Sequence, residues 1–464
     1  MQGFWLGYGW DLQSGRKGKP VIYSDNRHVT LFGPTRSGKG VSIEIPNLLR
    51  HGHGGWFNRR YRCDSILSID PKAQNCAVTM KWRSRFSTVW VLNPLGALGI
   101  PSTGFNPLLR LDANAPRLFD QAKAIAEVLI VTGRNESQPH FADSARSLLT
   151  WLIMWEVIDA ARKGRVPSLA HVRDLLTEPV ETATDPDGSE YEVKGLRATA
   201  GRAVASGDPR IMGLAGRFVA KSRELDGIVS TADTQTSWLM SAPMREDISV
   251  KDGADFSRLR REPITCYVCL PAHELEAFNP WLKLVVSTCL NTVYEQAGTA
   301  GHRVTMMLSE YAQLASGGEL KPIIAALGQG AGYGVQLAPI VLQDINQLRA
   351  RHGRDQAETF LGMSGATFAF APNDGQTAEW MSARSGDRRY AGLSASDDPK
   401  TDEARMSYQE KRERLIPPDA MYGIPPFHGL VWFAGCAAPQ PVYAPPYWEI
   451  PELRGRYSRD PYHQ

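Results

Sequence analysis

The sequence predicts an α/β fold: a mainly parallel, doubly wound sheet with an all-helical insertion. Three observations carry that expectation. The apolar run His28-Val29-Thr30-Leu31-Phe32 meets a glycine-bounded turn and then a helix-like run. Further short apolar runs end in polar or proline-bearing turns and alternate with helical periodicity, as parallel strands with helical crossovers do. Between about 111 and 243 the strand pattern stops and helical periodicity takes over.

The turn after Phe32 carries the chemistry. Gly33, Gly38 and Lys39 fit the G-x-x-x-x-G-K core of a phosphate-binding loop. In such a loop successive backbone N–H groups curl around a phosphate, the helix N-terminus adds a positive dipole end, and the lysine reaches the outer phosphates. The expected phosphate-binding stretch is Gly33, Pro34, Thr35, Arg36, Ser37, Gly38, Lys39, Gly40 and Val41. The full pattern places Ser or Thr after the lysine as a magnesium ligand, and Gly40 stands there instead. Pro46 is expected to kink or shorten the helix that follows.

Composition sets the bounds. The 464 residues are 42% hydrophobic and 22% charged, with a net charge of +3. That length holds two or three domains, and that charge excludes a broadly basic nucleic-acid binder; a basic surface would be local. Of six cysteines only Cys266 and Cys269 have C-x-x-C spacing, inside a strand-like run that reads as core, with a metal or redox pair as the alternative. No signal peptide is visible, and the longest apolar stretch, Leu148–Trp155, is too short to span a bilayer, so the chain as given reads as soluble.

In order, residues 1–27 read as a hairpin or arm. The run Ser65–Ile69 ends at Asp70-Pro71, which puts Asp70 at the carboxyl end of the sheet, where α/β ligands bind; a turn aspartate before proline is an equal reading. Ser87–Leu92 repeats the pattern before Asn93-Pro94. Within the helical stretch, Ser168 reads as an N-cap and 182–192 as an exposed acidic loop. Arg197, Arg202, Arg210, Arg217, Lys221 and Arg223 could contact phosphate backbones or form solvated helix faces.

Strands resume at Ile264–Pro271, and Val304–Leu308 leads to Ser309-Glu310. Phosphate-loop NTPases end the neighbouring strand in Asp-Glu, the Asp holding metal and the Glu polarising the attacking water. Glu310 is thus the general-base candidate, or a plain exposed glutamate, and Ser309 occupies the metal position without a carboxylate. Val335–Leu342 delivers Gln343, placed to sense a γ-phosphate or to cap. A strand at 366–371, an exposed loop at 394–405, a last strand at 431–435 and a surface-wrapping tail from Pro439 complete the chain.

Taken together, these parts resemble the type IV secretion coupling proteins, the TraG- and TraD-like conjugation ATPases. The carrying residues are Gly33–Gly40, Ile45-Pro46-Asn47-Leu48-Leu49, Asp70-Pro71-Lys72, Asn93-Pro94, Phe141–Trp151, Ala331–Gly334, Gln343 with Gln347-Leu348 and His352-Gly353, Leu415–Asp419 and Pro425-Pro426. The resemblance implies a RecA-like P-loop NTPase with parts at 1–110 and 244–464 and an all-α domain inserted at 111–243. It implies ATP and Mg2+ as cofactors, with Lys39 on phosphates, Glu310 catalytic and Gln343 the sensor. It further implies a hexameric ring at the cytoplasmic face of the bacterial inner membrane, moving DNA, expected single-stranded, or relaxase and other secretion substrates into channel components. Arg349, Arg351 and Arg384 are candidates for the arginine a ring supplies to its neighbour. The family carries an N-terminal membrane anchor and this chain shows none, which reads as a cytosolic fragment or a member docking through a partner. Ser309 motivates an alternative reading, a nucleotide-binding recruitment adaptor with little hydrolysis.

Overall fold

The computed structural model describes residues 3–50, 64–132, 139–220, 223–296, 298, 301–316, 321–397 and 404–463. Among the described residues fifteen strands run in chain order: β1 (Phe4–Asp11), β2 (Arg16–Tyr23), β3 (His28–Phe32), β4 (Ser65–Ile69), β5 (Thr88–Leu92), β6 (Glu181–Thr184), β7 (Glu190–Lys194), β8 (Ile264–Val268), β9 (Val304–Leu308), β10 (Val335–Leu342), β11 (Ser364–Phe370), β12 (Asp387–Asp397), β13 (Ala404–Arg414), β14 (His428–Phe433) and β15 (Gln440–Tyr443). The chain forms two compact units. The first comprises 1–62, 306–312 and 336–458, the second 63–305, 313–335 and 459–464.

In the first unit the strand order is β2-β1-β15-β14-β11-β3-β10-β9. β3 pairs in parallel with both β10 and β11, so the strand leading into the phosphate-loop motif is central. All five of its residues are buried, which is why it reads as a continuous apolar run rather than an alternating one. Burying a side chain such as Leu31 or Phe32 contributes about 1.5–3 kcal/mol. Phe32 meets Trp380 edge-on at 5.1 Å, and Trp380 in turn meets Trp432 at 5.8 Å.

Beyond β11 the sheet turns antiparallel: β14 against β11, β15 against β14, β1 against β15, and β2 against β1. Short connections require that direction in the hairpins β1–β2 and β14–β15. The sheet is therefore mainly parallel around the motif and antiparallel at one edge. The tail from Pro439 does not wrap the surface as expected. It supplies β15, the last strand in place of 431–435, and buries Val442, Tyr447, Ile450 and Leu453. The expected loop at 394–405 is strand up to Asp397 and again from Ala404; residues 398–403 lie outside the described residues.

In the second unit β4 and β5 flank β8 in parallel. Cys266 and Cys269 are fully buried there, and burial pushes the Cys266 thiol up, as expected of core residues. The helices of this unit between 111 and 243 include Leu118–Leu129, Pro139–Lys163 and Leu169–Leu176. The Ser168 hydroxyl accepts the His171 N–H, the predicted N-cap. The expected acidic loop is instead the hairpin β6–β7, closed by a turn with Gly188 at φ +85°. β7 alternates, with Tyr191 and Val193 on one face and Glu190, Glu192 and Lys194 on the other, but all its residues are exposed or half-buried and the flanking turn residues dominate the stretch.

Inside Pro139–Lys163 a carboxylate is held without solvent. Glu156 is 0% exposed, and Arg165 binds it in a fork at 2.5 and 2.7 Å. His171 Nδ1 at 2.6 Å and the Ser168 N–H at 2.9 Å complete its partners. Burial pushes the carboxyl up, but the donors from His171, Arg165 and Ser168 outweigh it and leave it below the usual range.

Candidate phosphate-loop site

The loop leaves β3 with the Gly33 N–H donating to the Leu342 carbonyl at 3.0 Å, and the Ser37 N–H closes a turn on Pro34 at 3.2 Å. Arg36 has φ +66°, a conformation an L side chain adopts at a cost, so the turn is held by its surroundings. Gly38 has φ +92°, and a Cβ there would lie 2.9 Å from the Phe427 ring. A Cβ at Gly33 would lie 2.5 Å from Ser37 Oγ and 2.9 Å from the Phe370 ring. Both glycines are thus required by space, and Gly38 by backbone angle as well.

The Lys39 ammonium donates to the carbonyls of Gly33 and Pro34, which holds it against the loop backbone. The buried Oγ atoms of Ser37 and Ser42 make no hydrogen bond among the described residues. The helix opens as a π-turn, Gly40–Glu44, with the Ile45 N–H reaching the Gly40 carbonyl, before continuing as Ile45–Arg50. Pro46 cannot donate and would crowd a regular helix, and the wider turn before it accommodates the ring. Asn47 ties this helix to β1, accepting from the Trp5 N–H and donating to the Trp5 carbonyl, both at 2.8 Å.

The same unit holds the other predicted residues except one. Ser309 is buried, and its hydroxyl donates to Glu44 Oε2 at 2.8 Å. Glu310 follows in a left-handed conformation, φ +57°, half-buried. Tyr311 behind it is anchored by His352, stacked at 6.0 Å and hydrogen-bonded at 3.0 Å to the ring Nε2. At the end of β10 the Gln343 N–H donates to the Gln347 carboxamide at 2.9 Å, while Asp344 caps the next helix through the Gln347 N–H. The Gln343 side chain itself makes no hydrogen bond among the described residues.

Asp70 belongs to the second unit. It is buried, and its carboxylate accepts the Cys76 N–H at 2.8 Å at the start of the helix Gln74–Arg83, which gives it a capping job. The insertion's basic residues are largely engaged: Arg197 pairs with Glu192 at 2.6 Å, Arg210 with Asp208 at 2.6 Å, and Arg217 lies over Phe218. That favours solvated faces over a phosphate track; Lys221 lies outside the described residues. Arg349 reaches Glu358 at 3.5 Å, and Arg384 sits over Trp380, where burial pushes its guanidinium down.

Sequence reasoning missed Glu44 and Phe427. Glu44 had a signal: it is the one acidic residue between Val41 and Leu49, four residues after Gly40. Phe427 had none, since its place against Gly38 depends on a contact nearly 400 residues away along the chain.

A family model described as "Type IV secretory system Conjugative DNA transfer" matches residues 4–443. A "Conjugal transfer protein TraG" of Escherichia coli is 23% identical over 435 residues, covering 90% of this chain and 65% of the relative. "Protein VirD4" of Rhizobium radiobacter is 24% identical, covering 82% of this chain and 51% of the relative. The chain thus spans one half to two thirds of the length of these relatives. Among solved structures, the bacterial conjugative coupling protein TrwBdeltaN70, in a trigonal form with sulphate, superposes with TM-score 0.64 at 18% identity, covering 96% of this chain and 95% of that one. The plasmid coupling protein TrwB bound to a non-hydrolysable ATP analogue gives TM-score 0.62 at 19% identity, covering 91% and 86%. These structures share this chain's fold, of the RecA-like α/β class.

Proposed function

The chain belongs to the type IV secretory system conjugative DNA transfer family, and from that premise we propose that it is an ATP-dependent coupling protein. In this reading it recruits DNA, single-stranded, together with relaxase or other secretion substrates, and drives it into inner-membrane channel components as a homo-hexamer at the cytoplasmic face. The stretch 111–243 is the inserted domain of that machine. Among the described residues no helix is long and apolar enough to cross a membrane. The observation that carries the reading is the loop 33–41, with its two space-required glycines and its lysine, on a central buried parallel strand.

The residues fit a nucleotide with magnesium. The glycines form a cradle that side chains would fill, and two serine hydroxyls there are buried and unpartnered among the described residues. The loop N–H groups not already used by Leu342 and by the turn on Pro34 would surround phosphate oxygens, and Lys39 would exchange the Gly33 and Pro34 carbonyls for the outer phosphates. Magnesium neutralises charge on those phosphates when bound. Glu310, on a left-handed backbone next to the anchored Tyr311, would polarise the attacking water. Gln343, its backbone fixed through Gln347, reads the γ-phosphate. Catalysis on this plan is positioning plus charge stabilisation, completed by an arginine of an adjacent subunit. ATP turnover by the purified chain that rises when single-stranded DNA is added tests the proposal; turnover indifferent to DNA counts against a motor.

A further inference from the structure

Two groups that face magnesium in a phosphate-loop site are missing from this chain. Position 40 is glycine, without a hydroxyl, and position 309 is serine, without a carboxylate. Glu44 stands between these gaps. It lies four residues after Gly40, about one helical turn along the same face. A Cβ placed on Gly40 would meet nothing within 4 Å, so a reach past that position is open. Glu44 is 5% exposed, and the 7% exposed Ser309 donates its hydroxyl to Glu44 Oε2. The neighbouring Val41, Ile43, Ile45, Leu48 and Leu49 are apolar and buried. The Ser309 hydroxyl is thus one of the donors that answer this carboxylate, and it comes from the strand end where the family's metal-holding acid would stand.

We propose that Glu44 is the carboxylate that holds the nucleotide's magnesium, supplied from the loop's own helix in place of an acid at the end of β9, with Ser309 as the hydroxyl that orients it. Glu44 is thus the metal-facing group, and Ser309 a positioning residue. The inference rests on the phosphate-loop reading above. It also removes the motive for treating Ser309 as a sign of a dead site, because the missing charge has moved rather than vanished.

The test separates the metal from the nucleotide. Binding of a fluorescent ADP analogue is measured in EDTA and at rising Mn2+, and Mn2+ uptake by the complex is followed by electron paramagnetic resonance. Glu44→Gln is expected to bind the analogue in EDTA within about twofold of wild type. Its complex should take up Mn2+ roughly tenfold or more weakly. The double variant Ser309→Asp/Glu44→Gln, which moves the acid to the strand end, should recover most of that loss. A Glu44→Gln complex that takes up Mn2+ as tightly as wild type overturns the assignment and leaves the loop reading standing. A wild-type chain that binds no analogue at any Mn2+ concentration overturns both. Ser309→Ala covers the case in which Glu44→Gln does not fold. It keeps the carboxylate and removes its donor, so a several-fold weaker Mn2+ uptake is expected, and unchanged uptake overturns the pairing.

Discussion

Gly38→Ala probes whether the loop conformation itself binds nucleotide. The backbone at this position has φ +92°, and an L side chain forced into left-handed geometry costs about 1–2 kcal/mol. The new Cβ would also lie 2.9 and 3.0 Å from two carbons of the Phe427 ring, and pushing an aromatic ring off its rotamer costs about 0.5–1.5 kcal/mol. Phe427 has φ +60°, so its own backbone offers little room to retreat. The sum is about 2.5 kcal/mol, or roughly 60-fold in affinity for a ligand that needs the loop in this shape. The assay is equilibrium titration with a fluorescent ADP analogue, beside a urea unfolding curve. Nucleotide affinity should fall by that factor. Adding Phe427→Leu should return only the ring's share, roughly fivefold. Affinity within twofold of wild type in Gly38→Ala, with an unchanged unfolding midpoint, would refute the argument that this conformation is the binding conformation.

Two further predictions concern the second unit. Asp247 is buried with the Ser102 hydroxyl donating to it, and burial raises its carboxyl from 3.8 to about 6. The folded chain therefore holds this proton more tightly than the unfolded chain. The stability it contributes is present below pH 3.8 and is lost as the pH rises through about 6, by roughly 3 kcal/mol. Asp247→Asn should flatten that part of the pH–stability curve, as read from urea midpoints between pH 4 and 8; an unaltered slope would contradict it. Arg165→Ala strips the fork from the fully buried Glu156 and should cost about 3 kcal/mol in the same measurement. A loss under about 0.5 kcal/mol, the range of an ordinary surface pair, would mean that His171 and Ser168 suffice to hold the carboxylate.

The parts of this chain legible in the sequence are those whose signal is local. β3, β4, β5, β8 and β10 are buried along their length or nearly so, and each shows as a short apolar run closed by a turn. The loop is legible because phosphate binding dictates glycine and lysine at fixed offsets. What escaped depends on distant partners or is rich in charge. β15 is a strand because β1, more than 400 residues earlier, and β14 lie on either side of it. β6–β7 and β12–β13 are charge-rich hairpins, a composition that also suits an exposed loop. Asp70 shows how a correct placement can carry two meanings: it lies at the end of a parallel strand as expected, and there it caps the helix that follows. Glu44 lies outside the motif, which points to position 309, and the hydrogen bond from Ser309 connects the two.

ATP turnover by the purified chain with magnesium, alone and with single- or double-stranded DNA, beside Lys39→Ala, tests the central claim most directly. The account predicts turnover that rises with single-stranded DNA and disappears in the variant, because Lys39 is proposed as the loop's charged contact to the outer phosphates. Turnover that survives in Lys39→Ala would contradict the phosphate-loop assignment. Nucleotide binding without turnover under every condition would contradict the motor.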